Sequence, residues 1–191
     1  MKHDAYPTLV FAGPNEFEQF LKENHDKVPG IWLKMAKKVS GIKSITYDEA
    51  LEVALCYGWI DGLVNRFDED YYIQKFTPRG PRSIWSQRNI RISGELIKAK
   101  RMKAAGLLAI EGAKKDGRWE NAYSGAKSFV IPEDFLKEVK KDKKTFEFFK
   151  TLNRTNLYAI YYRLQTAKKQ ETRENRMKII LEKLKEGKKL I

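Results

Sequence analysis

The chain is poor in the residues that most metal, redox and disulfide chemistry needs. Of its 191 residues one is cysteine, Cys56, and two are histidine, His3 and His25. One cysteine forms no internal disulfide, which points to a reducing, cytoplasmic location. So few soft ligands make no dedicated zinc or iron site and imply no cofactor. No run of about 18 apolar residues exists, so no membrane span is expected. The start, Met1-Lys2-His3-Asp4-Ala5-Tyr6-Pro7, has no apolar core of the kind a secretory leader carries. Neither a G-x-x-x-x-G-K-[ST] loop nor a G-x-G-x-x-G turn is present, which excludes the common nucleotide-cradling motifs. No repeat and no low-complexity linker interrupts the chain.

What is abundant is positive charge. The net charge is +13, and it is unevenly placed. Residues 1–70 hold 8 Lys+Arg against 12 Asp+Glu, and residues 71–191 hold 30 against 13. A half this basic attracts polyanions such as nucleic acid, unless the lysines only solvate a surface. The hydrophobic share of 42% is that of a globular chain.

Patterning predicts an α+β fold: a small mixed N-terminal sheet with helices over residues 1–80, then a mainly helical half over 81–191. Thr8-Leu9-Val10-Phe11 reads as a strand, and Asn15 as the cap of a helix carrying Phe17, Phe20 and Leu21. Ile31 to Lys37 reads as a second strand. Thr46 and Glu49 form a capping box, followed by a helix burying Ala50, Leu51, Ala54 and Leu55 and closed by Gly58. Trp59 to Asp61 and Tyr71 to Thr77 read as strands paired through a turn near Asp68-Glu69-Asp70. Beyond Pro81, Ser86 is expected to cap a helix with Ile90, Ile92, Leu96 and Ile97 as its apolar positions. A second helix carries Leu107, Leu108, Ile110 and Ala113. Pro132 is expected at the first helical position of a third, and Thr145 to open a fourth. Leu157, Ile160, Tyr161 and Leu164, then Met177, Ile180, Leu181 and Leu184, follow helical spacing. The helices are expected to pack on the sheet or its edge.

The candidate site is an aromatic, glycine and charge block. It runs Cys56-Tyr57-Gly58-Trp59-Ile60-Asp61-Gly62, resumes at Phe76-Thr77-Pro78-Arg79 and closes with Ser83-Ile84-Trp85-Ser86. Asp61 reads either as a general acid or base, or as a carboxylate orienting Arg79 or Arg82, or as a turn residue accepting backbone amides. Trp59 is either a core anchor or a stacking platform. Arg79, Arg82, Arg88, Arg91 and Arg101, with Trp85 and Ser86 at a helix start, compose an anion site or an ordinary paired surface. Cys56, at a helix C-terminus and far in sequence from either histidine, reads as a buried small residue. The segment Ala167-Lys168-Lys169-Gln170-Glu171-Thr172-Arg173 reads as a solvated start to the last helix or as a basic flank for a ligand.

These segments, in this order, resemble the YdeI/OmpD-associated family, also labelled bacteriocin-protection proteins. The likeness rests on Tyr47-Asp48-Glu49-Ala50-Leu51, Leu55 to Gly62, Phe76 to Arg79, Ser83 to Ser86, Arg101-Met102, Ala105-Gly106-Leu107, Gly117-Arg118-Trp119, Ala122-Tyr123 and Ala167 to Arg173. The resemblance implies protection against bacteriocins or association with an outer-membrane protein. It carries no catalytic residues with it, and it implies that Trp59, Asp61, Arg79, Trp85 and Trp119 cluster. Three functions stay open: a binding protein for a small anionic ligand, a nucleic-acid or other polyanion binder, and an enzyme with Asp61 as its acid or base.

Overall fold

The computed structural model describes residues 6–191. The reading of the first five residues, His3 included, lies outside them. The described chain forms two compact units. The first runs to Ser83 and resumes over Asn89–Glu120; the second joins Ile84–Arg88 to Asn121–Ile191.

The first unit is built on a mixed four-stranded sheet of β1 (Thr8–Val10), β2 (Ile31–Ala36), β3 (Trp59–Arg66) and β4 (Tyr71–Pro78), in the order β1-β2-β4-β3. β1 lies parallel to β2, and the other pairs are antiparallel. The helices α1 (Pro14–Asn24) and α2 (Tyr47–Cys56) follow β1 and β2. Ile31, Leu33 and Met35 share a face with Phe76, Gln74 and Tyr72, because paired residues of antiparallel strands point the same way. Phe17 of α1 lays its ring edge-on to Phe76 at 5.9 Å, which places α1 on that face. α2 packs against α1 and β3 and buries Ala50, Leu51, Ala54 and Leu55 as expected. Its capping box is complete: Glu49 N donates to Thr46 Oγ1 at 3.4 Å, and Thr46 N donates to Glu49 Oε2 at 2.9 Å. Gly58, at φ +72°, lets the chain turn straight from α2 into β3.

Several local expectations are corrected. Asn15 is not the cap of α1. Gly13 holds that position and Pro14 opens the helix, since its fixed φ suits a first turn. β3 extends past Asp61 to Arg66, over a register shift between Asp61 and Val64. In α3 (Gln87–Lys98), Ile97 is 42% exposed; the inward stripe is Asn89, Ile92, Ser93 and Leu96, so half of it is polar. In α4 (Ala104–Lys115), Leu107 and Leu108 are exposed, and Gly106, Ile110 and Ala113 face inward. A Cβ on Gly106 would sit 2.4 Å from Cys56 O and 2.7 Å from Leu55 O, so only glycine lets α4 approach the end of α2 this closely.

The second unit has its own core. α5 (Glu133–Lys140), α6 (Lys143–Lys150), α7 (Arg154–Gln165) and α8 (Gln170–Lys185) bury Phe135, Val139, Phe149, Ile160, Leu164, Ile180 and Leu184 against one another. Pro132 precedes α5 as its cap residue instead of being its first residue. Asp142, not Thr145, caps α6: its carboxylate accepts from Thr145 N at 3.1 Å. The buried Asn156 side chain accepts from Leu190 N and Ile191 N at 3.1 and 3.2 Å and so holds the last residues against this core. Among the described residues, no helix is long and apolar enough to cross a membrane.

Candidate functional site

Tyr47 is the first residue of α2, placed there by the capping box, and α2 lies against β3. Its hydroxyl donates to Asp61 Oδ2 at 3.0 Å. From β4, Gln74 Nε2 donates to the same oxygen at 3.2 Å. Gln74 is buried, so its amide depends on this carboxylate. Asp61 itself is half-buried, at the edge of the bulge. Nearby on β4, burial first and then the charge of Asp48 push the Tyr72 hydroxyl above the usual tyrosine range. The result is a polar patch of Tyr47, Asp48, Asp61, Tyr72 and Gln74 over an otherwise apolar sheet face. No arginine is among the partners of Asp61 in the described residues.

Arg79 follows the last residue of β4. Its amide donates to Gly58 O at 2.9 Å, which continues the β3–β4 ladder by one rung. That rung is three residues from the Asp61–Phe76 pair, roughly 10 Å at the rise of a strand. The Arg79 side chain is half-buried, with Nε and Nη2 out of contact with solvent. The loop after it closes on itself: Gly80 N donates to Ser83 Oγ and Ser83 N to Gly80 O, both at 3.0 Å. Arg118 Nη1 holds Ser83 O at 2.8 Å while its Nε binds the Asp116 carboxylate at 2.8 Å. Arg82 projects from this fastened loop and is exposed. Trp119, next to Arg118, is half-buried, with Lys114 Nζ 5.5 Å from its ring centre.

Trp59 is fully buried, and its Nε1 donates to His25 O at 3.0 Å, so it anchors the core. Trp59, Asp61, Arg79, Arg82 and Trp119 belong to the first unit, and Trp85, Ser86 and Arg88 to the second. There Ser86 bridges Tyr123 in parallel, Tyr123 N donates to Trp85 O at 3.1 Å, and Gln87 N donates to Tyr123 O at 2.9 Å. Trp85 and Ser86 are buried and Arg88 is exposed. Sequence reasoning missed Tyr47, Gln74 and the clamp role of Arg118. Tyr47 was visible as a helix start and in a segment of the resemblance, and Gln74 only as one residue of a strand.

Cys56 is buried, and burial pushes its thiol up to about 11. An open groove of about 480 Å³ lies beside it, lined by Asn15, Glu18, Gln19, Lys22, Tyr57 and Lys103. The Glu18–Lys103 pair at 2.9 Å neutralises its centre. Among the described residues, no three His, Cys, Asp or Glu side chains gather as metal ligands would.

Residues 9–109 match the family described as a domain of unknown function (DUF8412). Residues 128–187 match the family described as bacteriocin-protection, YdeI or OmpD-associated. The first match spans more than half of the chain, which therefore belongs to that family; the C-terminal helices match the YdeI/OmpD-associated, bacteriocin-protection family model over residues 128–187. Of the segments that carried the resemblance, Ala167 to Arg173 falls in the second match and those from Tyr47 to Leu107 in the first, while Gly117 to Tyr123 lies between them. No curated protein and no solved structure matches the chain significantly.

Proposed function

We propose that this is a small binding protein for an anionic ligand bearing phosphate or carboxylate, acting in the cytoplasm in stress or bacteriocin protection. Arg79 is the principal anion contact. Arg82, on the loop that Arg118 fastens, adds a second guanidinium. The observation that carries this reading is the placement of Arg79: a half-buried guanidinium on a backbone pinned to Gly58 O at 2.9 Å. A guanidinium held in a partly dry setting gives stronger, directional bonds to an oxyanion than an exposed lysine does. The protective role comes from the family description.

A second reading, polyanion binding, is favoured by one fact. The second unit carries 19 Lys+Arg against 9 Asp+Glu. Its lysines are scattered over α5, α6 and α8, which suits non-specific attraction better than a defined site.

The test is the melting temperature of the full chain across a panel of phosphate monoesters, nucleotides, carboxylates and neutral analogues. A ligand bound by the folded state raises it by mass action. The proposal expects a shift from one anionic class and none from its neutral analogue. A midpoint unmoved by every anion in the panel contradicts it.

A further inference from the structure

β3 is the last strand of the sheet, so one of its long sides meets no other strand of the described chain. Its outer half is open as well: residues 62–66 are exposed on both faces, with Leu63 at 67% and Val64 at 57%. Phe67, just beyond, is 49% exposed. An edge that presents backbone donors, acceptors and apolar side chains together is a template for another strand. Its hydrogen-bonding direction follows from the hairpin. Phe67 N donates to Tyr71 O at 3.3 Å, so Phe67 faces β4. By alternation Asn65 faces β4 too, and the N–H and C=O groups of Val64 and Arg66 point outward. Asp61, Val64 and Arg66 pair with Phe76, Gln74 and Tyr72, which share one face, so the bulge brings these three side chains to the same side.

We propose that β3 pairs antiparallel with β3 of a second copy of this chain, across a two-fold axis at Val64, joining two four-stranded sheets into one. A two-fold axis makes every contact occur twice. In this register Val64 meets Val64 of the second copy. Arg66 lies across from Gly62, where no side chain obstructs it, and next to Asp61 on the same face. Both side-chain hydrogen bonds to Asp61 fall on Oδ2, which leaves Oδ1 for that guanidinium. The nearest alternative, centred on Asn65, sets Arg66 of the second copy opposite Val64, three positions from Asp61, and forgoes that charge pair. Charge thus selects both the occupant and the register. The strand is short and the contact falls below a standard interface of about 1,600 Å², so the dimer is weak and concentration-dependent.

The experiment is sedimentation velocity of the full chain from low micromolar to several hundred micromolar. The expected result is a mass rising from 22.3 kDa toward twice that value. Val64→Lys, at an exposed position where circular dichroism checks the fold, is expected to weaken association at least tenfold. Arg66→Glu is expected to weaken it severalfold, with the deficit shrinking as salt rises. A chain that stays at 22.3 kDa throughout, whether or not the edge takes up an added extended peptide, overturns the proposal. So does a dimer that Val64→Lys leaves intact.

Discussion

The Tyr47 hydroxyl reaches Asp61 Oδ2 at 3.0 Å across 14 residues of sequence, and with it α2 is tied to the strand it packs on. Asp61→Ala leaves that hydroxyl and the buried Gln74 amide short of their shared acceptor. Stability is expected to fall by ~1–3 kcal/mol, the range for stranding a buried polar group. Tyr47→Phe, which removes one donor, should cost less. Urea unfolding with an unchanged slope checks both. An Asp61→Ala midpoint equal to wild type would mean that the carboxylate organises nothing.

Gly106 and Gly94 make a contrasting pair, both in helices. Gly106→Ala drives a Cβ into the backbone oxygens of Leu55 and Cys56, and a loss of ~1–3 kcal/mol is expected from overpacking. Gly94 has nothing within 4 Å of where its Cβ would stand. Gly94→Ala is expected to stabilise α3 by ~0.5–1 kcal/mol through helix propensity alone. Thermal unfolding of the two variants should move in opposite directions.

Much of the first unit was legible, and the reason is local chemistry. The capping box at Thr46 and Glu49, the left-handed glycine at Gly58 and the hairpin turn near Asp68 each act within a few residues. The cap of α1 was misread because Asn15 is a good capping residue in isolation, whereas Pro14 beside it already fixes the first turn. The inward stripe of α3 was misread because Asn89 and Ser93 are polar, and burial is what the apolar pattern is meant to report. The candidate site was only half legible. Asp61 and Arg79 stand out as charges beside aromatics and turns. The partners of Asp61 come from a helix start and a neighbouring strand, and only the packing of α2 on β3 brings them together.

Cys56 is expected to be sluggish. A thiol pushed up to about 11 by burial holds about 100-fold less thiolate near neutral pH than one at 9.0. Alkylation of the folded chain at pH 7.4 should be slower than that of the urea-unfolded chain by at least this factor. Rapid labelling of the native protein would place Cys56 in a reactive setting.

Acid should loosen the second unit through Asp134. Hydrogen bonds from Arg173, from α8 to the first turn of α5, hold its carboxyl below the usual carboxylate range. A folded value below the unfolded one stabilises fully above the unfolded value, and the benefit is lost as pH falls through the folded value. Wild type should therefore lose more stability than Asp134→Asn between about pH 5 and pH 2, and chemical unfolding across that window reads the difference. Parallel curves for the two proteins would show that the pair contributes nothing.

The central claim is that anion recognition is localised at Arg79 and not spread over the basic helices. Calorimetric titration of the anion that most raises the melting temperature into wild type, Arg79→Ala and Lys168→Ala tests it most directly. The account predicts that Arg79→Ala abolishes binding while Lys168→Ala, at an exposed position before α8, leaves it within about twofold. Equal loss in the two variants, with affinity falling steeply as salt rises, would contradict a localised site and assign the anion to the charged surface of the second unit.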